Sequence, residues 1–398
     1  MVQLFLFYAL LQTVSLFGEI SALYLSWYDN PATTMTIQWH TPPGESDAIR
    51  LELPDGIKSF TGTHYPFPNE PLVIHTVQLQ DLKPDTEYTF QITNSPKKYK
   101  FRTAPLNLEQ PLRFVVGGDL YLSPELFRKM SQTVVAQDPL FAAVGGDLAY
   151  AVENPSLFSN KLTTRWRAFL ADWTKSLQTP SGRLIPLLVV SGNHDLTPDL
   201  SELFFTLFNF PQKTLYRMVD FGSYLSLILL DTGHLSPITG LQTEWLQETL
   251  SKRASLPYLF AVYHVGAYPS FYSFEGKAPN KIRTNWCPLF DQYGVQAAFE
   301  HHSHTYKRTF PLKAGQKAPS GTIYFGDGCW GVKPRKVRDA WYLEKSGSKN
   351  HVYLIEMTGG TAKVSAIGLN GELIDKVEIQ PHTIKTTEQA ENKQLTIY

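Results

Sequence analysis

The apolar and polar positions of this chain follow two different patterns. From Leu23 to Thr103, short segments alternate between apolar and polar residues, as half-buried β-strands do. Beyond residue 106, continuous apolar runs of strand length alternate with longer stretches of helical periodicity. The chain is therefore expected to form an all-β domain, residues 23–105, followed by a larger α/β domain, residues 106–380.

The segment from Leu82 to Tyr88 carries a specific signal in the first domain. Its Leu, Pro, Thr and Tyr are spaced as in a tyrosine corner, where the phenol bonds back to nearby backbone. With a length of roughly 80 residues, the domain resembles a fibronectin type III-like sandwich. Its histidines and carboxylates show no metal-ligand spacing, so we interpret it as scaffold.

The second domain is expected to contain several helices and strands. Helical periodicity predicts helices over 124–137, 164–177 and 241–253. Residues 216–231 are typical of a hairpin followed by a core strand, and 322–328, 351–357 and 363–369 predict further strands.

Several apolar runs of this domain end abruptly in side chains that bind metals. The terminal segments are Gly-Gly-Asp119, Gly-Gly-Asp147, Gly-Asn193-His194-Asp195, Val-Tyr-His264 and His301-His302-Ser-His304. In open α/β sheets, ligands bind beyond the carboxyl ends of the strands. The sequence therefore predicts that separated strand ends build one metal site.

The order of these segments resembles the five sequence blocks of the calcineurin-like metallophosphoesterases. Tyr150, three positions after Asp147, narrows the resemblance to the purple acid phosphatases, which also carry a fibronectin-like amino-terminal domain. The resemblance covers nearly the whole chain. It implies that the second domain packs two β-sheets between helices, in an αββα arrangement.

The resemblance also implies a dinuclear metal centre. Asp147 would bridge two ions, and the other predicted ligands are Asp119, Tyr150 and His304 for the first ion and Asn193, His264 and His302 for the second. The first set contains hard anionic donors that suit Fe(III), and Tyr150 would give the family's charge-transfer colour. The second set suits Zn, Mn or Fe(II), among which the sequence does not choose.

The function implied is the hydrolysis of phosphate monoesters. Metal ions lower the pKa of a bound water, and the hydroxide attacks phosphorus in line with the leaving group. His194 would contact the phosphoryl oxygen or protonate the leaving alcohol. Two alternatives stay open: a phosphodiesterase or nucleotidase of the wider superfamily, and a non-catalytic phosphate-binding or adhesion protein with a decayed site.

Four positions depart from the family pattern. Tyr121 stands where the first block has glycine, so we expect a less permissive backbone in the loop after Asp119. Lys307 stands where glutamate is usual. His301 replaces a glycine, and we expect it to be an extra imidazole behind the ligands. Tyr272 stands near a place where some members carry a catalytic histidine, and a tyrosine is the poorer acid at neutral pH.

Three further polar residues of the second domain receive no ligand role. Asp231 also follows a strand and is interpreted as structural, while His234 and His351 are interpreted as incidental.

Composition bears on the possible partners of the protein and on its cysteine chemistry. Its 36 basic and 36 acidic residues cancel, which gives no sign of a nucleic-acid partner. Cys287 and Cys329 could form one disulfide or stay separate.

The two ends of the chain differ from the rest. Residues 1–22 resemble a secretory signal too short for a comfortable membrane span, with a first core strand as the alternative. We therefore expect export. Residues 381–398 are polar and predict a tail, and the oligomeric state stays open.

Overall fold

The computed structural model describes residues 18–152, 161–198, 201–210 and 212–382. Residues 1–17 of the predicted signal and 383–398 of the predicted tail lie outside these ranges. Ala22, the last residue of that signal, begins the first strand and pairs with His40. Within the described ranges, no helix has the length and apolarity that a membrane crossing requires.

The amino-terminal domain is a sandwich of two antiparallel sheets. Its strands are β1 (Ala22–Ser26), β2 (Met35–Thr41), β3 (Ala48–Leu53), β4 (Gly56–Thr61), β5 (Thr63–Pro66), β6 (Val73–Leu79), β7 (Glu87–Ile92) and β8 (Lys98–Arg102). The strand orders are β1-β2-β6-β5 and β4-β3-β7-β8, with Trp39 and Phe90 buried in the core. The Tyr88 phenol accepts a hydrogen bond from the Lys83 N–H at 2.7 Å, which confirms the predicted tyrosine corner.

One polar cluster in this sandwich was not expected from the sequence, since its donor atoms lie within 4.8 Å of one another, close enough to hold a metal ion. His64 and His75 are opposite each other on β5 and β6, and both contact Asp47. The Nδ1 atoms of His64 and His75 lie 2.8 and 2.6 Å from Asp47 Oδ1, and Nε2 of His75 lies 2.7 Å from Thr41 Oγ1. Each of these contacts forms an ordinary hydrogen bond between side chains of the domain.

The second domain alternates strands and helices. Its elements are β9 (Leu112–Gly117), α1 (Pro124–Ala136), β10 (Phe141–Gly145), α2 (Lys161–Ser176), β11 (Leu187–Val190), α3 (Ser201–Phe208), β12 (Arg217–Phe221), β13 (Leu225–Leu229), α4 (Leu241–Ser251), β14 (Tyr258–Val265), α5 (Lys277–Asn285), α6 (Cys287–Tyr293), β15 (Ala297–His301), β16 (Tyr306–Thr309), β17 (Leu312–Lys313), β18 (Gln316–Lys317), β19 (Ile323–Gly326), β20 (Leu343–Gly347), β21 (His351–Met357), β22 (Ala362–Gly368) and β23 (Leu373–Ile379).

Two large sheets form the centre of this domain. One has the strand order β11-β10-β9-β21-β22-β23, and the other has the order β12-β13-β14-β15-β19-β16-β20. Successive side chains of β9 point to opposite faces of the sheet. Phe114 and Val116 therefore belong to the core between the two sheets, whereas Val115 packs with the helical layer. The residues of α1, α2 and α3 cover the first sheet, and those of α4, α5 and α6 cover the second. The predicted αββα arrangement is therefore confirmed.

The predicted elements agree with the structure at most positions. The helices expected over 124–137, 164–177 and 241–253 correspond to α1, α2 and α4, and the hairpin and core strand over 216–231 correspond to β12 and β13. Ser123 caps α1 by accepting the Leu126 N–H, followed by proline at the first helical position. Helices α3, α5 and α6 and strands β16, β17, β18, β20 and β23 were not predicted.

The two cysteines are free. Cys287 is buried beside the Tyr324 hydroxyl at 3.2 Å, and Cys329 is buried near the Asn350 amide at 3.6 Å. Each thiol thus has its own neighbours, and the alternative of a single disulfide is wrong for this structure.

Candidate metal centre

Parallel strands bring the predicted ligands to one edge of the two sheets. β9, β10 and β11 run parallel in the first sheet, as do β13, β14, β15 and β19 in the second. Asp119, Asp147 and Asn193 follow the ends of β9, β10 and β11, whereas His264 lies in β14 where the register with β15 shifts. Such irregularities re-aim side chains next to functional sites.

The backbone at this edge is unusually strained. The predicted ligands with positive φ are Asp119 (57°), Asp147 (52°), Tyr150 (51°), His302 (76°) and His304 (57°). A non-glycine residue in this region costs on the order of 1 kcal/mol, and such residues cluster at functional sites. The surrounding fold thus holds five of the predicted side chains in positions that an unconstrained backbone avoids.

The first group of donor atoms surrounds Asp119. Nε2 of His304 lies 2.9 Å from Asp119 Oδ1, and the Tyr150 hydroxyl oxygen lies 3.2 Å from each of these atoms. Oδ2 of Asp119 accepts the His302 backbone N–H at 3.0 Å. Two donor atoms bound at right angles to one cation are separated by about 3 Å, because metal–ligand bonds are about 2.1 Å long.

The second group surrounds His264 and shares Asp147 with the first. Donor atoms of Asp147, His264 and His302 lie within 4.8 Å of one another, and so do those of Asp119, Asp147 and His304. Nε2 of His264 lies 3.0 Å from Asn193 Oδ1 and 3.4 Å from Asp147 Oδ2. One carboxylate therefore belongs to both groups, as the bridging ligand of two adjacent ions must.

Hydrogen-bond accounting shows that this pocket needs a positive charge. Nδ1 of His264 lies 2.9 Å from the Gly145 carbonyl oxygen, so this nitrogen carries the proton and donates it. In the neutral ring, Nε2 then presents a lone pair to the oxygens of Asn193 and Asp147. Oδ2 of Asp147 is buried and has no hydrogen-bond donor. A cation is needed between these lone pairs, whether a proton or a metal ion.

The pKa shifts follow from the same charge distribution. Burial lowers the pKa of His264, but the Asp147 charge outweighs burial and raises the pKa to about 10. Burial, followed by the charge of His264, lowers the pKa of His302 to about 3. Burial and the charges of Asp119 and Asp147 raise the pKa of Tyr150 well above its ordinary value. Without metal, the carboxylates thus retain a proton on His264 and Tyr150 remains a phenol.

His194 and Asp195 stabilise the loop that follows β11. The His194 backbone N–H donates to Asp147 Oδ1 at 2.8 Å, and its Nδ1 donates to the Val152 carbonyl at 2.9 Å. The ring also stacks on Tyr150, with centroids 5.0 Å apart. Asp195 accepts the Leu148 and Gly192 N–H groups at 2.7 and 2.8 Å. A neutral His194 therefore keeps Nε2 as an acceptor, held beside the Tyr150 ring.

Tyr272 lies next to a predicted ligand and contacts a residue that sequence reasoning missed. Its ring stacks on His302, with centroids 4.4 Å and planes 18° apart, and 37% of the residue is exposed. The Arg335 guanidinium donates to the Tyr272 hydroxyl at 2.6 Å, and the Arg335 backbone N–H donates to the His304 carbonyl at 2.8 Å. Arg335 is thus a cation at the edge of the candidate centre.

His301 lies beneath the centre. Its Nδ1 lies 2.8 Å from the Tyr263 carbonyl oxygen, and burial lowers the pKa of its ring to about 4. A Cβ atom on Gly145 would lie 1.8 Å from His301 Cε1, and one on Gly118 would lie 2.4 Å from Cδ2. The glycines before Asp119 and Asp147 therefore make room for this imidazole, which packs under both strand ends.

The surroundings of Lys307 explain why a lysine is accommodated where the family usually has glutamate. It is fully buried, with Nζ 2.5 Å from Glu300 and 3.2 Å from Asp327. Asp327 also accepts the Ser270 N–H at 3.0 Å, and its carbonyl accepts the His304 N–H at 2.8 Å. The buried cation thus connects β15, β16 and the end of β19 directly behind the histidine loop.

The other departure, Tyr121, does not strain its own backbone. Its hydroxyl donates to Asp172 at 2.6 Å, and its ring packs against Phe127 and Phe169. Asp119, two residues earlier, has the positive φ. Our expectation of a less permissive loop thus applies to Asp119 and not to the residue that replaces glycine.

Asp231, His234 and His351 differ in their relation to the centre. Asp231 accepts four consecutive backbone N–H groups, from Gly233 to Ser236, so its structural role is confirmed. His351 is buried edge-on against Tyr306, and its backbone N–H donates to the Cys329 carbonyl. His234, interpreted as incidental, lies against the His264 ring with centroids 5.6 Å apart.

Comparisons with known proteins agree with this geometry. The family model described as "Purple acid Phosphatase, N-terminal domain" matches residues 20–103, and the one described as "Calcineurin-like phosphoesterase" matches residues 112–306. The fold and the strand-end site thus define a metallophosphoesterase domain. With its companion domain, the chain belongs to the purple acid phosphatase family.

Curated relatives resemble this chain in sequence, and a solved structure resembles it in fold. Purple acid phosphatase 23 of Arabidopsis thaliana is 28% identical over 64% of this chain and 62% of its own length. An uncharacterized protein of Mycobacterium tuberculosis is 26% identical over 74% of this chain and 63% of its own length. The chain thus matches somewhat less than two thirds of these curated relatives. A purple acid phosphatase from yellow lupin seeds has a TM-score of 0.75 at 17% identity, covering 90% of this chain and 74% of that one, which shows a shared fold.

Proposed function

We propose that this protein is a dinuclear-metal phosphatase that hydrolyses phosphate monoesters. The observation that carries the proposal is the sharing of Asp147 by two groups of donor atoms. Its Oδ2 atom is buried without a hydrogen-bond donor, which is costly unless a cation lies against it. Membership of the metallophosphoesterases supplies the reaction class.

The donor sets fit two different ions. Asp119, Tyr150 and His304 would hold the first ion, and Asn193, His264 and His302 the second, with Asp147 between them. A phenol whose pKa is raised by burial ionises only beside a strongly charged cation, which favours Fe(III) in the first position. The mixed oxygen and imidazole donors of the second position suit Zn, Mn or Fe(II). When bound, the ions would supply Lewis-acid activation of the ester and of the attacking water.

The protein's own groups would orient the substrate and move protons. His194 is fixed by its Nδ1 donation to the Val152 carbonyl, so a neutral ring offers Nε2 as an acceptor and a protonated ring offers a donor. In the protonated form it could bond the phosphoryl oxygen or protonate the leaving alcohol. Tyr272, which is partly exposed beside His302, is proposed as a second proton donor at the rim. His301, buried behind the ligands, would support them without touching substrate.

We further propose that the protein is exported. The support is the nearly continuous apolar character of residues 2–17. Amino-terminal sequencing of mature protein from its native host should show a shortened chain. A mature protein that retains these residues would contradict export by a cleaved signal.

Metal analysis together with an activity assay tests the proposed function. Purified full-length protein supplied with iron and zinc should bind two ions per chain and hydrolyse p-nitrophenyl phosphate faster than bis-p-nitrophenyl phosphate. Preferential hydrolysis of the diester would favour the phosphodiesterase alternative. Two bound ions without any turnover would favour the non-catalytic alternative.

A further inference from the structure

A basic segment borders the candidate metal centre. We call Lys333, Arg335, Lys336 and Arg338 the basic rim; these four cations lie within six residues of a chain whose net charge is zero. Lys333, Lys336 and Arg338 are exposed, whereas Arg335 is half-buried. A neutral protein with such a cluster presents a local positive field that the overall composition does not reveal.

Backbone contacts fix the rim next to the predicted ligands. Val332, which precedes Lys333, belongs to a buried cluster with Tyr150 and Cys329. The Arg335 N–H donates to the His304 carbonyl, and the Arg338 N–H donates to the Ser270 carbonyl, both at 2.8 Å. The rim therefore runs from the tyrosine of the first donor group, across the histidine loop, to the loop that carries Tyr272.

The four cations of the rim are followed by a single carboxylate, Asp339, so the segment keeps an excess of positive charge. Among the described residues, none of them forms an ion pair, although many other arginines do, including Arg113, Arg253 and Arg308. The Arg335 guanidinium instead bonds the Tyr272 hydroxyl and lies 5.0 Å from the Phe271 ring centroid; that of Arg338 lies 5.4 Å from the same centroid. Clustered like charges repel one another, so an anion that binds among them is favoured.

We propose that the basic rim is an anion-binding subsite that favours phosphate esters carrying a second phosphate. The inference rests on the proposed function, in which the metal centre holds the phosphate that is cleaved. A single phosphate held there leaves the exposed cations of the rim in water. A second phosphate on the same molecule can bind them, and guanidinium groups match phosphate oxygens bidentately.

Matched substrate pairs test this subsite. The wild-type protein, loaded with iron and zinc, should show a higher kcat/KM for fructose 1,6-bisphosphate than for fructose 1-phosphate, or for adenosine 3′,5′-bisphosphate than for AMP. The first pair detects sugar bisphosphates and the second nucleoside bisphosphates. In K333Q/K336Q/R338Q the preference should fall by roughly tenfold, and 0.5 M NaCl should reduce the wild-type preference because salt screens exposed charges.

A charge-matched control separates local from global effects. K129Q/K281Q/K376Q removes three exposed positive charges that lie outside the rim, so it should retain both kcat/KM values and the preference. Equal substrate preference in the wild type and the rim variant would overturn the subsite. So would a wild type that prefers neither diphosphorylated compound, or an equal loss in the control.

Failure of the proposed function would give a different result. In that case the metal-loaded wild type would hydrolyse no member of either pair. Calorimetry with inorganic pyrophosphate and inorganic phosphate would then decide whether the subsite exists. Weaker pyrophosphate binding in the rim variant alone would support the subsite, and identical binding in both proteins would overturn it.

Discussion

The protein contains two clusters of aspartate and histidine that differ in one physical respect. In the amino-terminal sandwich, Asp47 accepts hydrogen bonds from His64 and His75, and Thr41 contacts the remaining nitrogen of His75. At the strand ends of the second domain, Asp147 Oδ2 has no hydrogen-bond donor, and Nε2 of a neutral His264 directs its lone pair at the oxygens of Asn193 and Asp147. Both clusters combine aspartate and histidine at distances that suit a metal ion, but of the two aspartates only Asp147 has a buried oxygen without a hydrogen-bond donor.

Backbone strain is also found in the second cluster and not in the first. Five predicted ligands at the strand ends have positive φ, whereas Asp47, His64 and His75 do not. A fold that forces strained residues around an unsatisfied carboxylate loses stability in the absence of a ligand. The comparison shows that unfinished hydrogen bonding, more than composition, identifies a candidate metal centre.

The largest expected effect comes from removing the shared carboxylate. Asp147→Asn should lower the metal content from two ions per chain to one or none and reduce kcat/KM by at least about 10³-fold, because the bridging ligand is lost. Metal analysis and p-nitrophenyl phosphate hydrolysis measure both effects. Asp47→Asn is the matched control and should keep two ions. Two ions and full activity in Asp147→Asn would contradict the assignment.

The next effect concerns the phenol of the first donor group. Tyr150→Phe should abolish the visible charge-transfer band and weaken ferric iron binding by roughly tenfold or more, since a first-sphere donor is removed. Absorption spectroscopy and competition with a chelator provide the measurement. Tyr121→Phe, which also loses a tyrosine hydroxyl near the site, should retain the band. Persistence of the band in Tyr150→Phe would remove Tyr150 from the ligand set.

Tyr272 should matter most where the leaving group needs a proton. Tyr272→Phe should lower kcat about three- to tenfold for alkyl phosphates and less for p-nitrophenyl phosphate, whose leaving group is stable without protonation. Comparing pH–rate profiles for both substrates is the measurement. Tyr272→His should restore the kcat that Tyr272→Phe loses, but with a pH profile shifted to lower pH, because histidine has a lower pKa than tyrosine. An unchanged profile in Tyr272→Phe would remove the acid role.

A satisfied carboxylate elsewhere should affect stability and not metal content. Burial raises the pKa of Asp375, but hydrogen bonds from Arg308 and Lys345 outweigh it and lower the pKa to about 2. A depressed folded-state pKa contributes stability above the unfolded value near 3.9, and this contribution is lost as pH falls through about 2. Asp375→Asn should therefore cost on the order of 2 kcal/mol in free energy of unfolding at pH 7 and much less near pH 2.

Urea unfolding of the wild type and Asp375→Asn at both pH values measures this difference. An equal loss of stability at pH 7 and pH 2 would show that the charge of Asp375 is not responsible. Metal content should be unchanged in this variant.

The smallest effect is expected in the hydrogen-bonded cluster of the sandwich. Asp47→Asn should reduce the free energy of unfolding by about 1 kcal/mol, because it weakens two hydrogen bonds to a partly exposed carboxylate. Thermal unfolding of the metal-loaded protein gives the comparison. Loss of a bound ion in this variant would show that the cluster is itself a metal site.

The fold could be predicted from the sequence because helices, strands and turns leave local signals in it. The αββα layers and the tyrosine corner are confirmed, since apolar periodicity and turn chemistry are local properties. The seven ligands remain a prediction, which the geometry of Asp119 and Asp147 supports without testing metal binding. The short helices α3 and α6 were missed because eight or seven residues give too little periodicity to detect.

Other features depend on distant contacts and could not be derived from local patterns. Arg335 lies 33 residues from His302 in sequence, and only the folded loops bring its guanidinium to Tyr272. The contact between His234 and His264 crosses from one strand end to another. The sequence showed Lys307 only as a departure from the usual glutamate, and the structure shows that Glu300 and Asp327 neutralise it in the core.

The most direct test of the central claim is a crystal structure of the iron- and zinc-supplied protein, with anomalous scattering measured at both metal edges. We expect two anomalous peaks about 3.5–4 Å apart, with Asp147 between them, iron on the side of Tyr150 and zinc on the side of His264. A single peak, or ions bound away from Asp147, would contradict the dinuclear centre.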